Sequence, residues 1–233
     1  MYGNIITIYH LSIPEFYKDL KLHGLDGFLQ DDALKNHQAI NSLFVRAVLE
    51  VYSGQDVEIE DIIEQSNGKP ILNPEKFIGI HFNKSHTEYD IVIALASFPL
   101  GIDLEAMKGS YNALVLDRIV HPEDQLKISS PKEFYQLWSI KEAFVKHTGE
   151  GFALPLDEVV ITTINNDQFL AKSSNQNAEV RSIDVLQNHY CFVAGKRVFS
   201  SGIKIIDHAK NERMLIEELA NRTKYHKMLV PIQ

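Results

Sequence analysis

The chain has 233 residues, enough for one large domain or two small ones. Hydrophobic residues make up 45% and charged residues 23%, an ordinary balance for a soluble globular protein, and no apolar run approaches the ~18 residues of a membrane span. The formal net charge of −8 argues against general affinity for nucleic acids, which depends on Lys and Arg neutralising phosphates.

The first residues predict a strand over 4–10 rather than a signal peptide, because they lack a basic segment and a small-residue cleavage site. The single cysteine, Cys191, excludes an internal disulfide and fits a reducing compartment. We therefore expect a cytoplasmic protein with no membrane association, in which Cys191 has a packing role.

Two helices are expected next. Ser12 is a suitable N-cap for a short helix over 13–20, and an apolar face predicts a longer helix over 31–52 that ends at Gly54. The basic residues of the longer helix are Lys35, His37 and Arg46, to which the sequence assigns no role.

Two polar stretches follow. Asn67-Gly68-Lys69-Pro70 predicts a turn that enters a strand, and residues 80–87 carry the run Phe82-Asn83-Lys84-Ser85-His86.

The stretch Gly101-Ile102-Asp103-Leu104-Glu105 follows a run of strand-forming residues. In a strand, Asp103 and Glu105 share one face, with side chains roughly 7 Å apart. Two carboxylates so placed repel each other unless a cation lies between them. Mg²⁺ suits such a site because it takes one or two carboxylates and fills its other positions with water and phosphate oxygens.

The stretch Trp138-Ser139-Ile140-Lys141-Glu142-Ala143-Phe144-Val145-Lys146 predicts a helix with Ile140 and Phe144 on its core stripe. Glu142 and Lys146 are four residues apart and share the opposite side. An acid and an amine on one helix face can supply a metal ligand or base together with a phosphate-binding cation.

Several short strands are expected after residue 156, in an antiparallel meander. An amphipathic helix over 209–229 closes the chain as an extension.

The paired stretches resemble the signature of 4'-phosphopantetheinyl transferases, which is Gly-apolar-Asp-x-Glu followed by Trp/Phe-Ser/Thr/Cys-x-Lys-Glu-Ala/Ser-x-x-Lys. The resemblance implies an α+β fold of two similar halves, a pseudodimer with the active site at their interface. It places the halves at residues 1–105 and 106–208, with the extension at 209–233. The chain length favours the larger, pseudodimeric type within the family, and hence a monomer.

The resemblance further implies transfer of the 4'-phosphopantetheine arm of coenzyme A to a serine of an apo carrier protein (acyl, peptidyl or aryl), as a holo-acyl-carrier-protein synthase does. Asp103, Glu105 and Glu142 would hold Mg²⁺, with Mn²⁺ as an alternative. The catalytic residues would be Glu142 as base, Lys146 and Asp103. The residues implied in binding coenzyme A are Lys69, Pro70, Ser85, His86, Lys141 and Lys146.

Coenzyme A and carrier proteins are both acidic, so the hypothesis requires a local cationic cleft on an acidic body. The candidates for this cleft are Lys69, Lys141 and Lys146. The alternatives are another Mg²⁺-dependent nucleotide phosphotransferase or hydrolase, a non-catalytic relative that binds coenzyme A or carrier proteins, and a plain α+β interaction module.

Overall fold

A computed structural model describes residues 5–26, 33–207, 210–211 and 213–217, which form a mixed α+β fold. The helices are α1 (Ile13–Leu22), α2 (Ala33–Ser53) and α3 (Pro131–Thr148). The strands are β1 (Ile5–Ser12), β2 (Ile62–Glu64), β3 (Pro70–Leu72), β4 (His81–His86), β5 (Asp90–Ala96), β6 (Leu100–Ala106), β7 (Val160–Thr163), β8 (Gln168–Lys172), β9 (Asn177–Ser182), β10 (His189–Gly195) and β11 (Gly202–Ile206).

The first sheet has the strand order β11-β1-β5-β4. Strand β1 pairs parallel with β11 and antiparallel with β5, which pairs antiparallel with β4 on its other side. Every residue of β5 is buried because both faces of the strand are covered. Ile91 and Ile93 lie in a core with Phe44 of α2, whereas Val92 and Ala94 belong to a second core on the opposite face.

The second sheet is antiparallel with the order β6-β10-β9-β8-β7. Helix α3 covers one of its faces, where Ile140 and Phe144 pack with Phe192. Ile102 and Val193 on the other face pack into the same core as Val92 of the first sheet. The two sheets therefore share an inner core, and α2 and α3 lie on their outer faces.

The sheets divide the chain at a different place from the predicted boundary at residues 105 and 106. Strand β6 contains Asp103 and Glu105 but pairs with β10 of the second sheet, so the change of sheet falls between β5 and β6. Strand β11 (Gly202–Ile206) returns to the first sheet beside β1. Pairing across long sequence separations, which local patterns do not encode, decides both placements.

The predicted helices agree with the observed helices wherever the structure describes the residues. Helix α1 follows Ser12, α2 ends before Gly54 with φ +68°, and the predicted helix around 138–146 lies within α3. Of the closing helix predicted over 209–229, residues 210–211 and 213–217 are helical and the remainder lies outside the described residues. Among the described residues no helix is both long and apolar enough to span a membrane.

Candidate active site

The edge strands β4 and β6 lie side by side where the two sheets adjoin. Asn83 Oδ1 accepts a hydrogen bond from the buried Ile102 N at 2.9 Å, so a side chain satisfies this backbone group at the join. Further along the strands, Ser85 Oγ donates to Asp103 Oδ1 at 3.2 Å. The join thus brings the Phe82–His86 run against the first half of the paired signature.

Gly101 lets helix α3 approach β6 at backbone distance. A Cβ added at Gly101 would collide with the carbonyl oxygen of Ala143 and the amide nitrogen of His147. The φ angle of Gly101 lies outside the left-handed region, so the need for glycine here is steric. This contact sets the helix turn that carries Lys146 directly over the strand that carries Asp103.

Lys146, Asp103 and Ser85 form one hydrogen-bonded group. Lys146 Nζ lies 2.6 Å from Asp103 Oδ1 and donates to Ser85 Oγ at 2.9 Å. Asp103 is only 2% exposed, and its second oxygen, Oδ2, is buried with no hydrogen-bond partner in the described ranges. The ammonium of Lys146 therefore compensates one side of the carboxylate and leaves the other side open to a further cation.

Glu105 and Glu142 lie in the same electrostatic environment. Burial raises the pKa of Glu105 to about 7, and repulsion from Asp103 and Glu142 adds to the effect. Trp138 Nε1 donates to Glu105 Oε1 at 3.1 Å, which opposes the rise in pKa. Burial also raises the pKa of Glu142, with repulsion from Asp103 as the second cause. One ammonium, that of Lys146, thus faces three carboxylates that repel one another.

These three carboxylates suit a divalent cation. The unpartnered Asp103 Oδ2 and the raised pKa values of Glu105 and Glu142 mark a surplus of negative charge, and carboxylate oxygens are the ligands that Mg²⁺ prefers. Within the ranges that the structure describes, no three His, Cys, Asp or Glu side chains form a ready-made ligand set. The metal-binding roles of Asp103, Glu105 and Glu142 therefore stay predictions.

A cleft of about 540 Å³ opens beside this group, with walls from the 67–70 turn, β4, α3 and the segments 115–119 and 149–156. Its polar lining includes Glu142 and Lys146, whereas most of its wall is apolar. The apolar side chains that line it are Pro70, Val115, Ile119, Trp138, Val145, Phe152, Leu154, Pro155 and Leu156. An elongated ligand with a charged end and a long neutral arm matches this division.

Lys69 and Pro70 line the cleft, as predicted residues of the site. The ammonium of Lys69 is nevertheless engaged with the protein: it donates to Lys146 O at 2.6 Å, and to Leu100 O and His147 O at 3.3 Å each. Burial lowers the pKa of Lys69 to about 8. Lys69 therefore fastens the 67–70 turn to the end of α3, and binding of a phosphate would require it to exchange one of these contacts.

His86 is exposed at the end of β4, and its ring centroid lies 5.0 Å from that of His37 on α2. Burial lowers the pKa of His86, followed by the positive charges of His37, Lys84 and Lys146. Of the basic residues of α2 with no assigned role, His37 thus lies beside the site. Arg46 is buried and donates to Val57 O, which is a structural contact.

Lys141 has a position that differs from its predicted role in the cationic cleft. Its side chain is fully buried, and Nζ lies 2.7 Å from Asp124 Oδ2 in an ion pair whose two side chains are both 0% exposed. Nζ also donates to the carbonyl oxygens of Ile119 and Leu156. With its three protons already bound inside the protein, Lys141 is not a phosphate-binding residue of the cleft.

The helical period of α3 already indicates that Lys141 is buried. Lys141 is four residues after Leu137 and three before Phe144, so it lies on the apolar stripe of α3 rather than on the face of Glu142 and Lys146. Its partner Asp124 was missed because a lone acid in a loop gives no local indication of a partner 17 positions away.

The sequence reasoning also missed two cations that line the cleft, Lys84 and Arg118. Lys84 is two residues from His86 on the same strand, so the strand period places both on one face. No sequence pattern indicates that Arg118 lines the cleft. Its position there depends on the path of the 113–118 turn.

The fold and the site define an α+β protein with an acidic strand and helix facing a basic strand at the mouth of an apolar cleft. Residues 99–194 match the family model described as "4'-phosphopantetheinyl transferase superfamily". The chain is 40% identical over 100 residues to a 4'-phosphopantetheinyl transferase of Bacillus subtilis, an alignment that covers 40% of this chain and 43% of that protein.

Two further relatives extend the comparison. The 4'-phosphopantetheinyl transferase gsp of Aneurinibacillus migulanus is 24% identical over 194 residues, covering 78% of this chain and 77% of that protein. The 4'-phosphopantetheinyl transferase Sfp of Bacillus subtilis (strain 168) is 32% identical over 123 residues, covering 51% and 54%. The chain thus spans about half the length of several of the curated relatives it matches. Over residues 99–194 the chain is thus similar to the 4'-phosphopantetheinyl transferase superfamily.

Proposed function

We propose that the protein transfers the 4'-phosphopantetheine arm of coenzyme A to a serine hydroxyl of an apo carrier protein and releases 3',5'-ADP. The observation that carries the proposal is the contact among Asp103, Ser85 and Lys146, which joins three separate sequence stretches at the mouth of one cleft. The relatives named above are themselves 4'-phosphopantetheinyl transferases, which supports the same reaction.

In this reaction the serine oxygen forms a bond to the β-phosphorus of the pyrophosphate. The bond from that phosphorus to the bridging oxygen breaks, and the oxygen leaves with 3',5'-ADP. The serine proton passes to a base, for which we propose Glu142, directly or through water. The raised pKa of Glu142 supports this role because it makes the carboxylate a stronger proton acceptor.

Lys146 would neutralise charge on the transferring phosphate. Its ammonium is already held at the mouth of the cleft by Asp103 and Ser85, so no further ordering of the side chain is needed when substrate binds. A positioned cation of this kind stabilises charge that develops in the transition state.

Asp103, Glu105 and Glu142 would hold Mg²⁺, or Mn²⁺ in its place. When bound, such an ion would offset the negative charge on the pyrophosphate oxygens. Asp103 is the strongest candidate ligand, because its Oδ2 is buried and has no hydrogen-bond partner among the described residues.

The same proposal includes a holo-acyl-carrier-protein synthase type of activity, a monomeric enzyme and a cytoplasmic location. The cleft lining supports a monomer, because two separate segments of the same chain, 67–84 and 115–156, supply its walls. The free, buried Cys191 is compatible with a reducing compartment.

Incubation of the purified protein with coenzyme A, Mg²⁺ and a panel of apo acyl, peptidyl and aryl carriers, read by intact mass, tests the proposal. We expect the mass of at least one carrier to increase by one phosphopantetheine group, with stoichiometric 3',5'-ADP. Consumption of ATP in preference to coenzyme A would favour a different nucleotide phosphotransferase or hydrolase. Binding of coenzyme A with no modified carrier would favour a non-catalytic relative.

A further inference from the structure

Lys84 is a cation of the cleft that belongs to neither half of the paired signature. It lies on β4, an edge strand of the first sheet, and is paired in register with Ile93 of β5. Its side chain is half-buried and forms part of the cleft lining together with Lys146. A lysine on an edge strand would ordinarily extend into solvent.

The part of the chain that the structure describes gives the ammonium of Lys84 no partner. Among the described residues, no carboxylate pairs with it and no oxygen accepts a hydrogen bond from it. In this respect Lys84 differs from Lys69, Lys141 and Lys146, which each have bound oxygens at 2.6–2.7 Å. Burial lowers the pKa of Lys84, and no acidic group offsets that effect.

Other basic side chains lie near Lys84. His86 shares its face of β4, and the charges of Lys84, Lys146 and His37 all act to lower the pKa of His86. Basic side chains of α2, β4 and α3 therefore lie close together beside the cleft, although the whole chain carries a net charge of −8. Lys146 is paired with Asp103, whereas Lys84 has no carboxylate partner among the described residues, so its part-buried ammonium is complementary to an anionic ligand.

We propose that Lys84 is a phosphate-binding residue, whose ammonium contacts an anionic oxygen of a phosphate ester bound in the cleft. The inference rests on the proposed function and extends it, since coenzyme A carries two such groups, the pyrophosphate and the 3'-phosphate. A half-buried ammonium is costly in the free protein and is compensated when phosphate binds.

Isothermal titration of the wild type, Lys84→Met and Lys84→Arg with coenzyme A, dephospho-coenzyme A and inorganic pyrophosphate tests this inference. Lys172→Met is the matched control, because Lys172 is also on a strand but is exposed and outside the cleft lining. We expect Lys84→Met to weaken coenzyme A binding roughly 10- to 100-fold, the range for one charge-assisted contact. Lys84→Arg should retain most of the affinity, and Lys172→Met all of it.

Comparison of coenzyme A with dephospho-coenzyme A shows which phosphate group Lys84 contacts. If the loss persists with dephospho-coenzyme A, Lys84 contacts the pyrophosphate; if it disappears, Lys84 contacts the 3'-phosphate. The unfolding temperature of ligand-free Lys84→Met should equal or exceed that of the wild type, because an unpaired half-buried charge has been removed.

Equal affinity of Lys84→Met and the wild type for all three ligands would overturn the inference while leaving the proposed function intact. Failure of Lys84→Arg to restore binding would also overturn it, because the loss would then be structural. A wild type that binds pyrophosphate but not coenzyme A, with the loss still present in Lys84→Met, would overturn the proposed function and leave Lys84 as an anion-binding residue. A wild type that binds none of the three would overturn both.

Discussion

Lys146 Nζ and Asp103 Oδ1 lie 2.6 Å apart, although 43 positions separate the two residues in the sequence. The first belongs to a helix and the second to an edge strand, and Gly101 allows the helix and the strand to touch. The contact commits half of the Asp103 carboxylate to a cation and leaves the buried Oδ2 without a hydrogen-bond partner among the described residues.

Removal of either charge in this pair should slow the proposed transfer. We expect Asp103→Asn and Lys146→Met each to lower kcat by about 10²–10³, the usual loss for one electrostatic contact to the reacting groups. Initial rates of carrier modification at saturating coenzyme A measure the effect. Asp167→Asn, in the exposed turn between β7 and β8, is the control and should keep the wild-type rate. A normal rate for Asp103→Asn would remove that residue from the active site.

The close contact at Gly101 should make this position intolerant of any side chain. We expect Gly101→Ala to lower the free energy of unfolding by at least about 1–3 kcal/mol, because the added Cβ meets backbone atoms of α3 that cannot rotate away. Gly109→Ala is a matched control, since a Cβ there has open space and the φ angle is ordinary. Urea unfolding of both variants gives the comparison. Equal stability of the two would show that α3 can move off β6 at little cost.

Divalent-ion binding should depend on pH through Glu105. Because burial and neighbouring carboxylates raise the pKa of Glu105 to about 7, a proton competes with the cation below that pH. The apparent affinity for Mg²⁺ should therefore fall as the pH drops below 7, by up to about tenfold per pH unit. Calorimetric titration from about pH 5.5 to about pH 8.5, a range centred on the pKa of about 7, measures this slope.

In the absence of metal, the effect of pH on the free energy of unfolding has the opposite sign. The folded protein binds the Glu105 proton more tightly than the unfolded chain does, so the contribution of Glu105 to stability is present at low pH and is lost as the pH rises towards 7. Glu105→Gln should reduce this dependence, whereas the exposed-site variant Glu75→Gln should leave it unchanged. A stability profile of Glu105→Gln identical to that of the wild type would contradict the raised pKa.

The buried pair of Lys141 and Asp124 predicts a stability effect rather than a specific loss of phosphate binding. Lys141→Met should lower the free energy of unfolding by about 3–5 kcal/mol, because it leaves a buried carboxylate without its cation. Lys132→Met, an exposed substitution on the same helix, should change it by less than about 0.5 kcal/mol. Thermal and urea unfolding measure both variants. A stable Lys141→Met protein with weakened coenzyme A binding would restore Lys141 to the cleft.

The elements around the site could be predicted because their patterns are local. Alternation along β6 placed Asp103 and Glu105 together on one face, and the helical period placed Glu142 and Lys146 together on α3. Family resemblance added Ser85, which contacts both Asp103 and Lys146. The paired signature thus pointed to the family whose model matches residues 99–194, since side-chain spacing within one helix or strand is fixed by backbone geometry.

Only the tertiary structure decided which lysine side chains have an ammonium that faces the cleft. Lys69, Lys84, Lys141 and Lys146 carry the same chemical group, yet the first fastens a turn to a helix end and the third is buried against Asp124. Whether an ammonium meets solvent, a carbonyl or a carboxylate depends on the segments packed around it, and those segments come from distant parts of the chain. Lys84 is left facing the cleft because no described segment supplies it with an acceptor.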